Sequence, residues 1–117
     1  MSRFDDTPTA AVAEPDLTAF QRNILTILAD EARYGLAIKR ALEDYYGANV
    51  NHGRLYPNLD ELVEQGLVEK SELDKRTNEY AVTDAGREAV MEHVEWTLDH
   101  TPYELVAATA DGGGDQA

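Results

Sequence analysis

The chain of 117 residues contains no cysteine. This excludes disulfide bonds, thiolate zinc sites and thiol-based redox switches, and it leaves Met1 and Met91 as the only sulfur-containing residues that an oxidant can modify. A glycine-rich phosphate-binding loop is also missing, because the one run of glycines lies in the polar stretch at residues 110–117. We therefore expect that the protein is not an enzyme.

Long hydrophobic runs are absent as well. No apolar segment approaches the roughly 20 residues that cross a bilayer, and residues 1–16 contain acids and two prolines but no hydrophobic signal core. We expect a cytoplasmic protein with no membrane partner. The hydrophobic content of 43% nevertheless indicates a folded chain, and its length suits one domain with a modest core.

Basic residues are scarce, with 10 Lys and Arg against 23 Asp and Glu and a net charge of −13. Such an excess of acid is typical of a cytosol with very high salt, where carboxylates hold water and cations, so we expect bound salt ions. The acid is unevenly distributed. Residues 33–78 hold seven basic and eight acidic residues, whereas residues 79–117 hold one basic and nine acidic residues. The segment 33–78 is therefore the part best suited to approach nucleic acid.

Apolar residues recur at spacings of three and four, which predicts four helices whose ends are marked by caps and glycines. The first predicted helix is capped by Asp16 and runs from residue 17 to about 30, and the second starts at Tyr34-Gly35 and stops at Gly47. The third follows its cap Asn51 and stops at Gly66. The fourth follows its cap Thr83 and reaches about residue 100. The apolar face of the second helix is predicted to consist of Ile38, Ala41, Leu42 and Tyr45. Pro57 lies inside the third helix, where we expect a bend or a loosely wound first turn.

Two short strands are predicted at residues 67–73 and 78–82, joined by a polar turn of five residues at 74–78. A helix followed directly by a two-stranded ribbon is the core of a winged helix-turn-helix. The predicted fold is therefore mainly α with a small β-wing. We divide the chain into a flexible N-terminal arm (1–16), a winged helix-turn-helix DNA-binding domain (17–82), a C-terminal dimerisation helix (83–101) and a flexible tail (102–117).

The third helix is polarised along its length. Its N-terminal end carries only neutral or basic polar residues and the positive end of the helix dipole, whereas Asp60, Glu61 and Glu64 lie toward its C-terminal end. We therefore expect it to enter a DNA groove tip first. Arg54 suits a guanine edge or a phosphate, and Asn51 or Asn58 suits adenine.

The ribbon turn carries Lys75 and Arg76, which suit a phosphate or the minor groove. The alternative interpretation is that these polar residues only solvate an exposed face. The predicted DNA-binding residues are Asn51, His52, Gly53, Arg54, Tyr56 and Asn58 on the third helix, Lys70, Lys75, Arg76, Thr77 and Asn78 on the ribbon, and Lys39 on the second helix.

The apolar residues of the last helix cover more surface than the single stripe that a small domain needs, which favours a second, intermolecular contact. The predicted dimer interface consists of Leu17, Phe20, Val90, Val94, Trp96, Thr97 and Leu98. His93 and His100 share a face of this helix, but a separation of seven residues is too long for one metal ion. We predict no metal site and no cofactor.

This order of elements resembles that of the PadR-like winged-helix transcription regulators. The resemblance covers about residues 17–90 and rests on LTAFQRNILTIL, the Tyr34-Gly35 pair, RLYPNLDELVEQGLVEK and YAVTDAGREAV. It implies a homodimer that binds double-stranded operator DNA, with the third helix in the major groove, the wing along the backbone and Tyr56 donating to a phosphate. It also implies a role in the oxidative-stress response of a halophile. We expect one helix after the wing and no extended C-terminal domain, a departure from the longer family members that argues against carrying over their effector pocket.

A second hypothesis is a protein-interaction module that keeps the winged helix as a scaffold and docks through its acidic surface. A DNA mimic of this kind would spread acid over the third helix and the wing. In this sequence the basic residues collect there instead, which favours the regulator.

Overall fold

The structure is a computed structural model that describes residues 16–74, 77–102 and 104–105. Its secondary structure follows the predicted order with one additional short strand. The elements are α1 (Ala19–Asp30), β1 (Arg33–Tyr34), α2 (Gly35–Tyr46), α3 (His52–Glu64), β2 (Val68–Asp74), β3 (Thr77–Val82) and α4 (Asp84–Asp99).

The core lies where α1, α2 and α3 meet, and the sheet and α4 close it. The fully buried aliphatic side chains follow the helical spacing seen in the sequence, and they are Ile24, Leu25, Leu28, Ile38, Leu42, Leu55, Leu59 and Leu62. Tyr45 is an exception, since it was expected on the apolar face of α2 but is 71% exposed. It lies in the last turn of the helix and packs edge-on against Tyr46, with the ring centroids 5.0 Å apart.

The start of α1 differs from the prediction. Thr18, and not Asp16, caps the helix, since its hydroxyl accepts a hydrogen bond from the Gln21 N–H while the Gln21 side chain accepts one from the Thr18 N–H. This reciprocal box satisfies two N–H groups, whereas a single aspartate satisfies one. The predicted ends at Gly47 and Gly66 are confirmed, and both glycines have positive φ angles, 69° and 79°.

The sheet is antiparallel with the order β1-β3-β2. β1 was predicted as a connection followed by the start of a helix. Its two residues are too few to show the alternation of a strand, and they are extended because they pair with β3, where Arg33 lies opposite Tyr80 and Tyr34 opposite Glu79. Both wing strands extend further toward the turn than predicted, since β2 ends at Asp74 and β3 begins at Thr77. The turn between them is therefore shorter than predicted.

The last helix, α4, packs against α1 and β3. Thr83 caps it as predicted, by accepting a hydrogen bond from the Gly86 N–H. Only Gly86 and Val90 of this helix are buried, so most of its surface faces outward. None of the helices in the described ranges has the length and apolar character needed to cross a membrane.

Candidate nucleic-acid interface

The polar tip of α3 projects from the core because the opposite face of the helix is anchored in it. Leu55, Leu59 and Leu62 are fully buried, while every residue from Asn51 to Arg54 is exposed. Asn51 caps the helix as predicted, and its side chain accepts a hydrogen bond from the Gly53 N–H at 2.6 Å. The helix continues through Pro57 without interruption.

The turn that leads into α3 is fixed by one carboxylate of α2. Glu43 accepts hydrogen bonds from the Lys39 ammonium at 2.8 Å and from the Val50 N–H at 3.0 Å. Val50 is itself buried and comes directly before the helix cap. The hydrogen bond from Lys39, and then that from Val50, holds the pKa of the Glu43 carboxyl below its ordinary value of 4.5.

Two of the predicted contact residues are occupied within the chain. Lys39 forms the ion pair with Glu43, so part of its charge is neutralised. The Asn58 amide donates to the Arg54 carbonyl at 2.8 Å and accepts from the Gln21 side chain at 3.0 Å. Both of its polar atoms therefore help to hold α3 in place, and each keeps one further hydrogen-bonding position.

The Arg54 guanidinium lies over an aromatic ring of α1. Its central carbon is 3.9 Å from the centroid of the Phe20 ring. No carboxylate contacts this guanidinium within the described part of the chain. Arg54 therefore keeps its full positive charge at the tip of α3.

A cavity of about 470 Å³ separates the tip of α3, the start of α2 and the wing strand β3. Four of its lining residues were predicted to contact DNA, namely His52, Tyr56, Thr77 and Asn78. The other four are Tyr34, Gly35, Leu36 and Tyr80. The only ionisable groups among these are phenols and one imidazole. The cavity therefore presents hydrogen-bonding groups without a carboxylate.

Gly35 lets one wall of this cavity pack closely against the start of α2. A Cβ atom at this position would collide with the Tyr56 hydroxyl, so only glycine lets the Tyr56 ring lie against the first turn of α2. The His52 ring also packs on Tyr56, with the centroids 4.4 Å apart. Tyr34 precedes α2 but provides no capping hydrogen bond from its side chain, so the first N–H groups of this helix lack a side-chain cap.

Tyr80 was not predicted as a site residue. Its side chain is buried, with only 2% of its surface exposed. Its hydroxyl has no hydrogen-bond partner among the described residues. Burial, with smaller effects from Tyr56 and Asp60, raises the pKa of Tyr80 above its ordinary value of 10.0. The phenol is therefore protonated at neutral pH and can donate a hydrogen bond into the cavity.

The wing contributes Lys70 on the same side of the sheet. Lys70 lies directly opposite Tyr80 in the β2–β3 pair, and residues that face each other across antiparallel strands project to the same face. Its side chain is exposed. Lys75 and Arg76, predicted at the wing tip, lie outside the described residues.

The predicted dimer residues fall into two groups. Phe20 and Val90 are buried within the protomer itself. Phe20 packs against Arg54 and Tyr46, whereas Val90 faces the core. Leu17 is half-buried against that core. Four residues of α4, namely Val94, Trp96, Thr97 and Leu98, are exposed. The Trp96 ring lies between the rings of His93 and His100, at centroid distances of 5.9 and 4.4 Å.

The sequence matches the transcriptional regulator PadR-like family over residues 24–92. With the helix-turn-helix and wing described above, this match defines the class of the protein, and the chain belongs to the PadR-like family of transcriptional regulators. Membership of this family confirms the prediction of a regulator and not an enzyme.

The chain is similar to RosR. It is 60% identical to the RosR chain in a solved complex structure, with a TM-score of 0.76, and the match covers 87% of this chain and 96% of that one. A structure of Halobacterium salinarum RosR grown from NaBr is 62% identical, with a TM-score of 0.75 and coverage of 85% and 96%. These likenesses confirm the predicted fold, a winged helix with a following helix.

A curated relative, the transcriptional activator GvpE2 of Halobacterium salinarum, is 36% identical over 94 residues. The match covers 78% of this chain, which spans about half (47%) of the length of that relative. These relatives from a halophilic archaeon support the halophilic origin that the acidic composition predicts.

The Glu43 contacts predict a pH-dependent contribution to stability. Because the folded protein lowers the pKa of this carboxyl, the stabilisation is fully present above the unfolded value near 4.5 and is lost as the pH falls through the lower, folded value. We expect Glu43→Gln to be less stable than the wild type at pH 7 and the difference to shrink below pH 4.5. Urea unfolding at a series of pH values and constant KCl measures this difference.

Asp44→Asn is the matched control, because Asp44 is the exposed neighbour of Glu43 on the same helix. We expect this change to alter the free energy of unfolding by less than about 0.5 kcal/mol. A gap between Glu43→Gln and the wild type that stays constant from pH 7 to pH 3 would contradict the assigned role of the carboxylate.

Proposed function

We propose that this protein is a sequence-specific DNA-binding regulator that acts as a homodimer, with the tip of α3 reading the major groove. The observation that carries the proposal is the exposed first turn of α3, with an uncompensated guanidinium at its end and the wing beside it. A recognition helix of this kind needs one buried face and one polar tip. The N-terminal end of the helix dipole adds further attraction for phosphates.

Base reading falls to the residues of this first turn. Arg54 presents the two in-plane N–H groups that match the O6 and N7 atoms of guanine. Asn51 and His52 flank it as additional polar contacts, and Gly53 permits a close approach of the backbone to the groove. Lys39 acts at most as a secondary contact, because it remains paired with Glu43.

One backbone phosphate fits the cavity beside this turn. Tyr56, Thr77, Asn78 and Tyr80 line it with hydroxyl and amide groups, and the uncapped start of α2 opens onto it through Gly35. Hydroxyl side chains, backbone N–H groups and helix N-termini are the usual neutral contacts of a DNA phosphate. Lys70 adds a positive charge on the same face of the wing, and Lys75 and Arg76 extend the contact at its tip.

Neutral contacts of this kind suit a protein of a salty cytosol. Each ion contact with a phosphate releases a counterion and weakens as salt rises. A phosphate held by hydroxyls and backbone N–H groups depends less on that release. We propose that the acidic remainder of the surface binds salt cations, and that the regulator responds to oxidants, as the family resemblance implies.

Two copies are held together by the exposed apolar side chains of α4, which lie on more than one side of the helix. Val94, Trp96 and Leu98 are each at least 40% exposed, and Thr97 lies among them. Side chains of this size rarely remain solvated on one helix unless they contact a partner. Leu17 lies at the edge of the protomer core and extends the proposed contact. Two copies would present their α3 helices to half-sites about one DNA turn apart.

The DNA-binding proposal is tested by removing the two arginines. We expect wild-type protein to select particular genomic fragments in molar KCl, and the Arg54→Ala, Arg76→Ala double variant to lose that selection. Loss of one bidentate base contact alone lowers the discrimination against the wrong base by about 1–3 kcal/mol. Fluorescence anisotropy with the selected fragment and with a scrambled one measures the discrimination.

Arg87→Ala is the control, since Arg87 lies on α4 and approaches Asp84, 3.7 Å away. We expect this variant to bind as the wild type does. A dimeric wild type that binds no fragment at any salt concentration would contradict the proposal. That result would favour the alternative function, a protein-interaction module that docks through its acidic surface.

The dimer proposal predicts that Trp96→Glu weakens self-association. A central aromatic residue of an interface typically contributes about 2–4 kcal/mol, so we expect the dimer dissociation constant to rise roughly 30- to 1,000-fold. Sedimentation equilibrium distinguishes the 13.0 kDa protomer from its dimer. Tyr45→Glu, at an exposed aromatic residue of α2, serves as the control and should leave the dimer intact.

A further inference from the structure

Arg54 is the outermost member of a stack of side chains that joins α3 to α1 and α2. Its guanidinium carbon lies 3.9 Å from the centroid of the Phe20 ring. The Phe20 ring also packs on Tyr46, with the planes 18° apart and the centroids at 6.2 Å. The Tyr46 hydroxyl in turn accepts a hydrogen bond from the Asn23 amide at 2.9 Å.

We propose that Phe20 is a positioning residue for DNA recognition, and that its ring holds the Arg54 guanidinium in the orientation that reads the duplex. The inference rests on the proposed DNA-binding function and assigns it a residue that does not touch DNA. Phe20 is only 4% exposed, so its ring is confined by the side chains packed around it. Its neighbour Tyr46 is tied to α1 by the hydrogen bond from Asn23.

The geometry of a stacked guanidinium explains why a ring suits this role. The cation rests its flat face on the ring, while its N–H groups point outward in its own plane. Those in-plane N–H groups are the ones that pair with a guanine edge or with a phosphate. Stacking therefore restricts the orientation of Arg54 and leaves its donors unused.

Three other cations of the described chain are held differently. Arg33, Lys39 and Arg87 approach Asp30, Glu43 and Asp84 at 3.0, 2.8 and 3.7 Å. A carboxylate partner cancels the charge that DNA recognition requires, and an exposed ion pair is screened by salt. The uncharged Phe20 ring leaves the charge of Arg54 in place, and its contact does not depend on an ion pair that salt can screen. A chain with 23 acidic residues thus keeps a fully charged, oriented arginine at the tip of α3.

The direct test of this role is a double-mutant cycle between Phe20 and Arg54, read as discrimination between a selected fragment and the same fragment with one base pair changed. Phe20→Leu removes the ring but keeps an apolar side chain, and we expect discrimination to fall roughly three- to thirtyfold. Phe20→Tyr keeps the ring and should therefore keep the discrimination of the wild type. In the Arg54→Ala background the Phe20→Leu change should have little further effect, because the residue that it positions is gone.

A core control separates this role from general stability. Ile24→Val trims another fully buried residue of α1 and should leave discrimination unchanged when the protein remains folded. The stack itself is visible without DNA, since the side-chain protons of Arg54 should show an upfield ring-current shift in the NMR spectrum that Phe20→Leu removes. An Arg54 signal without that shift would overturn the positioning role.

Equal losses from Phe20→Leu in the wild-type and Arg54→Ala backgrounds would also overturn it, because Phe20 would then act through helix packing. Unchanged discrimination in Phe20→Leu would overturn the positioning role alone. A wild-type protein that selects no fragment, yet shows the ring-current shift, would instead overturn the proposed function and the positioning role with it.

Discussion

The burial of one face of α3 is the constraint on which the rest of the molecule depends. Leu55, Leu59 and Leu62 leave water together, and they do so in the core that they share with α1, α2 and the sheet. Once this face is fixed, residues 51–54 lie outside the core and project as a polar tip. The Asn51 cap and the Glu43 contacts then determine where the helix begins.

Electrostatics adds a second layer to this arrangement. A protein with a net charge of −13 approaches a polyanion only where its acid is absent or its cations are uncompensated. In the described structure these conditions meet around the first turn of α3. Arg54 rests on an aromatic ring, and the adjacent cavity is lined by phenols, an imidazole, a hydroxyl and an amide, with no carboxylate. The acidic residues of α4, which include Glu88, Glu92 and Glu95, lie on a different element of the fold.

Much of the fold could be predicted because its signals are local. Apolar spacing identified the buried faces of α1 and α3, and glycines marked the ends of α2 and α3. The functional contacts that were missed join distant parts of the chain. Phe20 and Arg54 are separated by 33 intervening residues, and the Tyr80 hydroxyl reaches the cavity only once β3 pairs with β1 and β2. No local pattern encodes such a meeting, and β1 itself exists only through pairing.

The most direct test of the central claim is an NMR titration of ¹⁵N-labelled protein with a selected DNA fragment in molar KCl. Binding through the tip of α3 and the cavity predicts that amide signals of residues 51–56, 35–36 and 77–80 move together, while those on the outer face of α4 stay in place. Movement confined to residues 84–99, with the α3 signals unchanged, would contradict it.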